Sequence, residues 1–251
     1  MKDIYLEKPL KFVLDKSVEV QSVTLTKVSR LRYQSYLLTL IKHVPKNAKV
    51  LDLGCGSGHI AAALNHLRPD LNIIGIDPNP SPLWPIINKY YGVKFKKGTS
   101  SRIVYNNETF DVVLSFGVME HVHEYYTGKG NAETAYLNEV NRVLKKKGTF
   151  FVCHLPNKYS FNEFLAKFFK LRHHIHPYTK KQAFSILEKH KFQIELFDRE
   201  YFIPSFFHFI NKKIGFLSDK LYWLILSIDK ILMLTPLKYF CQSFLIITRK
   251  K

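Results

Sequence analysis

The chain has 251 residues, 46% of them apolar, and its 38 Lys plus Arg outweigh 20 Asp plus Glu to give a formal net charge of +18. That length and apolar share suit a self-supporting folded core and exclude a disordered chain. Three scattered cysteines, Cys55, Cys153 and Cys241, exclude a disulfide framework or a four-cysteine zinc site and favour a cytoplasmic setting. The opening MKDIYLEKPLKFVLDK carries no apolar h-region, so no secretory signal is expected there. No stretch approaches the ~18 uncharged apolar residues of a membrane span, because Lys213, Asp219, Lys220, Asp229 and Lys230 interrupt the most apolar region.

Taken in chain order, an N-terminal helical segment occupies 1–45, with a helix over 26–43 that ends before Pro45. Short apolar runs predict buried strands at 49–53, 72–76, 93–96, 110–116, 149–154, 192–197 and 243–248. Amphipathic patterns predict helices at 59–67, 81–91, 132–145, 160–169 and 179–190. Gly148, behind Lys145, Lys146 and Lys147, reads as the stop of the third of these long helical patterns, with basic residues on the negative end of the dipole. The alternation implies an α/β fold with a mostly parallel sheet. No internal repeat appears, and one domain over 1–251 is the expectation.

The sharpest signal is Val50-Leu51-Asp52-Leu53-Gly54-Cys55-Gly56-Ser57-Gly58-His59, a buried strand, a glycine turn and a helix start. Glycines let the turn take φ > 0 and let a ligand approach the backbone, while the helix start offers free N–H groups. His59 stands where a dinucleotide fingerprint needs its third glycine, and no Lys-Ser or Lys-Thr ending makes a P-loop. The second strand ends at Asp77, 23 residues beyond Gly54, placed to accept hydrogen bonds from both ribose hydroxyls at a topological switch point. An Asp capping a turn before Pro78 is the plainer reading of the same residue.

VLDLGCGSG followed by IIGID resembles motifs I and II of the class I S-adenosylmethionine-dependent methyltransferases. FDVVLSFGVMEHV and LNEVNRVLKKKGTFFV resemble the later motifs of the methyltransferase type 11 subgroup that includes the ubiquinone enzymes. The likeness covers about 45–200 and the last strand. It implies a Rossmann-like, seven-stranded, mostly parallel sheet with helices on both faces and an antiparallel last strand. It implies S-adenosyl-L-methionine as cofactor, with Asp52, Gly54, Cys55, Gly56 and Gly58 at the methionine part. By the same resemblance Asp77 and Pro78 meet the ribose and Ser115 lies at the end of the fourth strand. Where the family usually carries Gly-Asp for the adenine amino group, this chain has Gly98-Thr99-Ser100, so Thr99 or Ser100 takes that place. Leu83 is a candidate to flank the adenine, and Trp84 is equally a core residue.

Methyl transfer requires alignment of acceptor, methyl and sulfur, and removal of an acceptor proton where one exists. His121 after the fourth strand and His154 after the fifth have the intrinsic pKa of a base. A fold-supporting role is the alternative for both histidines. The resembling family often carries a histidine and a polar cap where the chain crosses the mouth of the substrate pocket, which makes His176 and Tyr178 further candidates to face the acceptor. His173, His174 and His176 invite a metal, yet no ligand partner of defined spacing accompanies them, so no metal is expected. Thr179 reads as the cap of the helix that follows. No Asn-Pro-Pro-Tyr motif follows the fourth strand and no cysteine is placed for attack on a pyrimidine, which disfavours the base-methylating nucleic-acid enzymes.

An α-helical insertion over 201–239 precedes the last strand. Leu217, Leu221, Leu224, Ile228 and Ile231 recur at helical spacing, Phe206, Phe207 and Phe209 lie upstream, and Pro236 ends the pattern. The segment is a lid on the domain's own core, a lid that also touches an anionic membrane through Lys and aromatic side chains, or an oligomer surface. The expected acceptor is therefore a small molecule, a lipid-linked compound or a surface-glycan precursor at the inner membrane face. An RNA acceptor, for which the charge is the main support, and a non-catalytic cofactor-binding protein are the alternatives.

Overall fold

The computed structural model describes residues 27–170, 174, 176–203 and 221–251. Seven strands form one sheet: β1 (Lys49–Leu53), β2 (Asn72–Asp77), β3 (Lys94–Lys97), β4 (Phe110–Phe116), β5 (Leu144–Pro156), β6 (Phe192–Glu200) and β7 (Ser243–Lys250). Their order is β3-β2-β1-β4-β5-β7-β6. The pairs among β1 to β5 are parallel, and β7 runs antiparallel to both β5 and β6. The strand order reverses between β1 and β4, which opens a crevice at the carboxyl ends of the strands.

The helices are α1 (Lys27–His43), α2 (His59–Leu67), α3 (Trp84–Tyr91), α4 (Ala132–Val143), α5 (Phe161–Phe168), α6 (Lys180–Lys189) and α7 (Tyr222–Leu234). Strand alternation sends Val50, Val112, Leu114 and Phe151 to one face, where Tyr36, Leu37 and Leu40 of α1 and Ile60 to Leu64 of α2 cover them. Leu51, Val113, Phe150 and Ile246 face the other way, under Tyr136, Leu137 and Val140 of α4 and Ala183 and Leu187 of α6. The α/β expectation, with its seven-stranded sheet and antiparallel last strand, holds.

Three boundaries differ from expectation for identifiable reasons. The helical pattern at 132–145 stops at Val143, because Leu144 is buried and pairs with Phe110 of β4 while Lys145 Nζ reaches Asp111 at 2.7 Å. Gly148 is therefore not a helix stop. It lies within β5, where a Cβ would meet Leu144 Cγ at 2.8 Å, and the left-handed residue beside it is Lys147, φ 59°. The helix expected from 81 begins at Trp84, where Pro85 can open a helix but not continue one.

The third difference concerns the insertion. Leu217, Phe206, Phe207 and Phe209 lie outside the described residues. In α7, which ends before Pro236, Leu224, Ile228 and Ile231 are exposed among the described residues, while Asp229 is buried. Among the described residues the helix is held to the domain by its acid and by Met233, which packs against the core, and not by the stripe at Leu224, Ile228 and Ile231. Asp229 accepts from Arg32 of α1 at 3.3 Å and from the backbone N–H groups of Phe202 and Ile203 at 2.8 and 2.7 Å. Arg32 also donates to the Ile203 carbonyl at 2.7 Å and lies 4.2 Å above the Tyr201 ring.

Candidate active site

The crevice at the switch point is a cleft of about 550 Å³, within the range of small-molecule sites. Its wall begins at the glycine loop. Gly54, Gly56 and Gly58 have φ of 74°, 51° and 85°, and Gly58 caps α2 in the left-handed region. A Cβ at Gly54 would lie 2.4 Å from Val118 Cγ2, so loop and post-β4 turn approach as closely as a side chain forbids. Gly54 N and Cys55 N donate to the Ile76 carbonyl at 2.7 and 3.0 Å, tying the turn to the end of β2.

Asp77 stands at the centre. Its Oδ2 accepts from Gly56 N and its Oδ1 from Asn79 N, both at 2.8 Å. Each carboxylate oxygen accepts more than one hydrogen bond, so capacity remains for ligand hydroxyls on a half-buried group already aimed by the backbone. Trp84 is not a ligand platform but a brace: it stacks on Phe95 at 5.2 Å and donates Nε1–H to the Gly56 carbonyl at 2.9 Å. Leu83 is buried in the core.

Of the residues singled out from sequence, Gly54, Gly56, Asp77, Pro78, Thr99, Ser100 and His121 line the cleft together, joined by Asn79, Ser81, Val118, Glu124 and Tyr125. Asp52, Cys55, Gly58 and Ser115 stand behind that wall. Asp52 is buried with no partner for Oδ2 among the described residues, and burial, with the charge of Asp77, pushes its carboxyl up to about 7. Ser115 Oγ accepts from Tyr136 at 2.7 Å beneath the floor. Among the described residues no Lys or Arg lines the cleft, while Asp77 and Glu124 do. Such a wall disfavours phosphates and suits an uncharged nucleoside with a cationic tail. The glycine cradle, Asp77 and this charge pattern fit S-adenosylmethionine.

The acceptor-side candidates part company. His121, on a 3-10 turn over Met119–Glu124, sits at the cleft with Nδ1 2.6 Å from Glu124 Oε1. His154, φ 61° at a bulge in β5, turns toward Tyr36 and Ser243 at 3.2 and 3.3 Å. There Glu200 accepts from Tyr36 and Ser243, and burial pulls His154 down to about 4 while pushing Glu200 up to about 8. Tyr178 is buried and donates to Glu133. His173 lies outside the described residues, but His174, itself outside the cleft lining, comes beside His121, with ring centroids 5.9 Å apart. Sequence reasoning missed Glu120, Glu163 and Glu200, whose only signal was an acid at a strand or helix end.

A family model described as a methyltransferase domain matches residues 45–196. An uncharacterized protein of Methanocaldococcus jannaschii is 30% identical over 164 residues, covering 64% of this chain and 62% of that one. A ubiquinone biosynthesis O-methyltransferase of Pelagibacter ubique is 28% identical over 115 residues, 44% of this chain and 43% of its own. The chain thus spans less than two thirds of these curated relatives. Among solved structures, the 1,6-didemethyltoxoflavin-N1-methyltransferase of Burkholderia thailandensis, with S-adenosylhomocysteine bound, superposes with a TM-score of 0.58 at 16% identity, covering 98% of this chain and 92% of that one. That likeness speaks for the fold; the family match, covering well over half of the chain, carries the assignment. The chain belongs to the class I S-adenosylmethionine-dependent methyltransferases.

Proposed function

We propose that the protein, as a single domain over 1–251, transfers the methyl group of S-adenosylmethionine to a small-molecule or lipid-linked acceptor. The observation that carries this reading is a glycine-walled cleft whose lining, among the described residues, holds Asp77 and Glu124 and no Lys or Arg. When bound, the cofactor supplies an electrophilic methyl on a sulfonium. The chain's own residues then divide the work. Asp77, fixed by the Gly56 and Asn79 N–H groups, accepts from the ribose hydroxyls. Thr99 and Ser100 stand at the adenine side, and His121 is the imidazole on the acceptor side. His154 and Tyr178 support that side from within the core, through the Tyr36–Glu200 cluster and through Glu133.

Support for an apolar acceptor met at a membrane surface comes from the exposed aromatic and aliphatic side chains of α5 and α7 beside many lysines. The net charge of +18 favours RNA as the second reading. Calorimetry with S-adenosylmethionine tests the cofactor half. Wild type binds, Asp77→Ala weakens binding by about 1–3 kcal/mol, and NADH does not compete. Absence of binding, or binding of NADH instead, overturns it. Labelled methyl transfer into lipid and RNA extracts separates the two acceptor classes.

A further inference from the structure

Glu120 sits on the turn after β4 and is only 3% exposed, yet its Oε2 has no hydrogen-bond partner among the described residues. An uncompensated buried carboxylate is costly, so such an atom calls for a partner the protein itself does not provide. Two imidazoles stand beside it. One ligand atom each from Glu120, His121 and His174 lies within 4.8 Å of the other two. Two ligands of one zinc-sized ion, each at ~2.0–2.2 Å, sit roughly 3–3.5 Å apart, so modest side-chain rotation closes the triangle.

The surroundings of the two rings carry the argument further. His121 Nδ1 is 2.6 Å from Glu124 Oε1, and His174 Nδ1 is 2.5 Å from Glu163 Oε1. Glu163, in the first turn of α5 and itself buried, also accepts from the His174 backbone N–H at 3.2 Å. A carboxylate on one ring nitrogen fixes the orientation of the imidazole, makes it a stronger donor and leaves Nε2 as the nitrogen that addresses a cation. Here both histidines have that support, and a ring nitrogen of each lies within 4.8 Å of a Glu120 carboxylate oxygen.

We propose that Glu120, His121 and His174 bind one divalent cation of the zinc class, with Glu124 and Glu163 orienting the two imidazoles. Two nitrogens and one carboxylate oxygen suit a borderline first-row dication better than magnesium or calcium, which prefer all-oxygen sets. Three protein ligands leave a position open. Because His121 also lines the cofactor cleft, that position borders the acceptor side, and His121 serves as ligand rather than base when the cation is present. This last role rests on the methyl-transfer reading; cation binding does not.

The test is titration of the chelator-dialysed full chain with Zn²⁺ by calorimetry, and with Co²⁺ by visible absorption, without S-adenosylmethionine. One equivalent is expected to bind. Glu120→Gln and His174→Ala should each weaken it at least 100-fold, Glu163→Gln by about 10–100-fold, and His66→Ala not at all. Affinity for S-adenosylmethionine should survive His174→Ala, since His174 is outside the cleft lining. A wild type that is folded by circular dichroism yet binds no stoichiometric Zn²⁺ overturns the proposal. So does binding that persists in both Glu120→Gln and His174→Ala, which marks adventitious histidines. Loss of cofactor binding in the wild type would instead overturn the function proposed above and leave the cation site standing.

Discussion

Glu200 shows how one buried residue sets a pH dependence. Its carboxyl, buried between Tyr36 and Ser243, is raised to about 8, whereas an unfolded Glu titrates near ~4.3. Between those values the folded protein holds the extra proton, so this group's contribution to stability is full below about pH 4.3 and is lost as pH rises toward 8. His154 works in the opposite sense. Held neutral down to about 4, it contributes fully above the unfolded value near ~6.5 and loses that contribution as pH falls. Glu200→Gln mimics the protonated acid and keeps an oxygen for Tyr36. Thermal melts should show variant and wild type close at pH 5. By pH 9 the variant should lead by roughly 1–3 kcal/mol, at about 2–4 °C per kcal/mol. Parallel curves across that range would mean the carboxyl ionises freely in the fold.

At the scale of elements, α7 is attached through the Arg32–Asp229 pair, both side chains nearly inaccessible. Burial lowers the Arg32 pKa, and Asp229 acts against that. A buried pair adds little net stability over an apolar one, but removing one partner strands the other. Asp229→Ala leaves a buried guanidinium and two backbone N–H groups without their acceptor, so urea titration should show a loss of about 3–5 kcal/mol. Ile231→Ser, on the 62% exposed side of the same helix, should change stability by no more than about 0.5 kcal/mol. Equal small effects from both would place the anchor elsewhere. The same competition between local preference and tertiary partner explains β5. Lys145 to Lys147 extend a helical pattern, but they lie between the Phe110–Leu144 and Val112–Thr149 pairs of the β4–β5 ladder, and Lys145 is held there by Asp111.

For the whole molecule, the proposed lipid contact rests on the charge of +18 and on exposed apolar side chains. Phe164, Phe168 and Phe169 at the end of α5 are exposed beside Lys167 and Lys170, and Leu234 of α7 is 85% exposed. If this surface meets lipid, binding favours anionic over neutral vesicles and falls with salt without vanishing, each Lys near the surface contributing about 1 kcal/mol. Phe168→Ser with Leu234→Ser should remove the salt-resistant part and leave S-adenosylmethionine affinity intact. Vesicle binding that salt reverses completely, or none at all, would sink the lipid surface and leave a soluble acceptor.

The glycine loop, Asp77 and the alternation of strands and helices were legible in the chain alone, because they are local: backbone φ at three glycines, a strand end, a period of 2 or 3.6. Thr99 and Ser100 were legible for the same reason, as neighbours of a strand end lining the cleft. What joins distant segments was decided only by the tertiary structure. His174 belongs with Glu120 and His121 because α5 presents Glu163 to it, and nothing in the spacing of the histidines announces that meeting. His154 faces Tyr36 and Ser243 because a bulge in β5 turns it, whereas the sequence marked only a histidine at a strand end. Asp229 looked like a charge interrupting an apolar helix. It became the anchor because Arg32, 197 residues earlier in the chain, is buried beside it, and a buried charge takes whichever counter-charge the fold brings within reach.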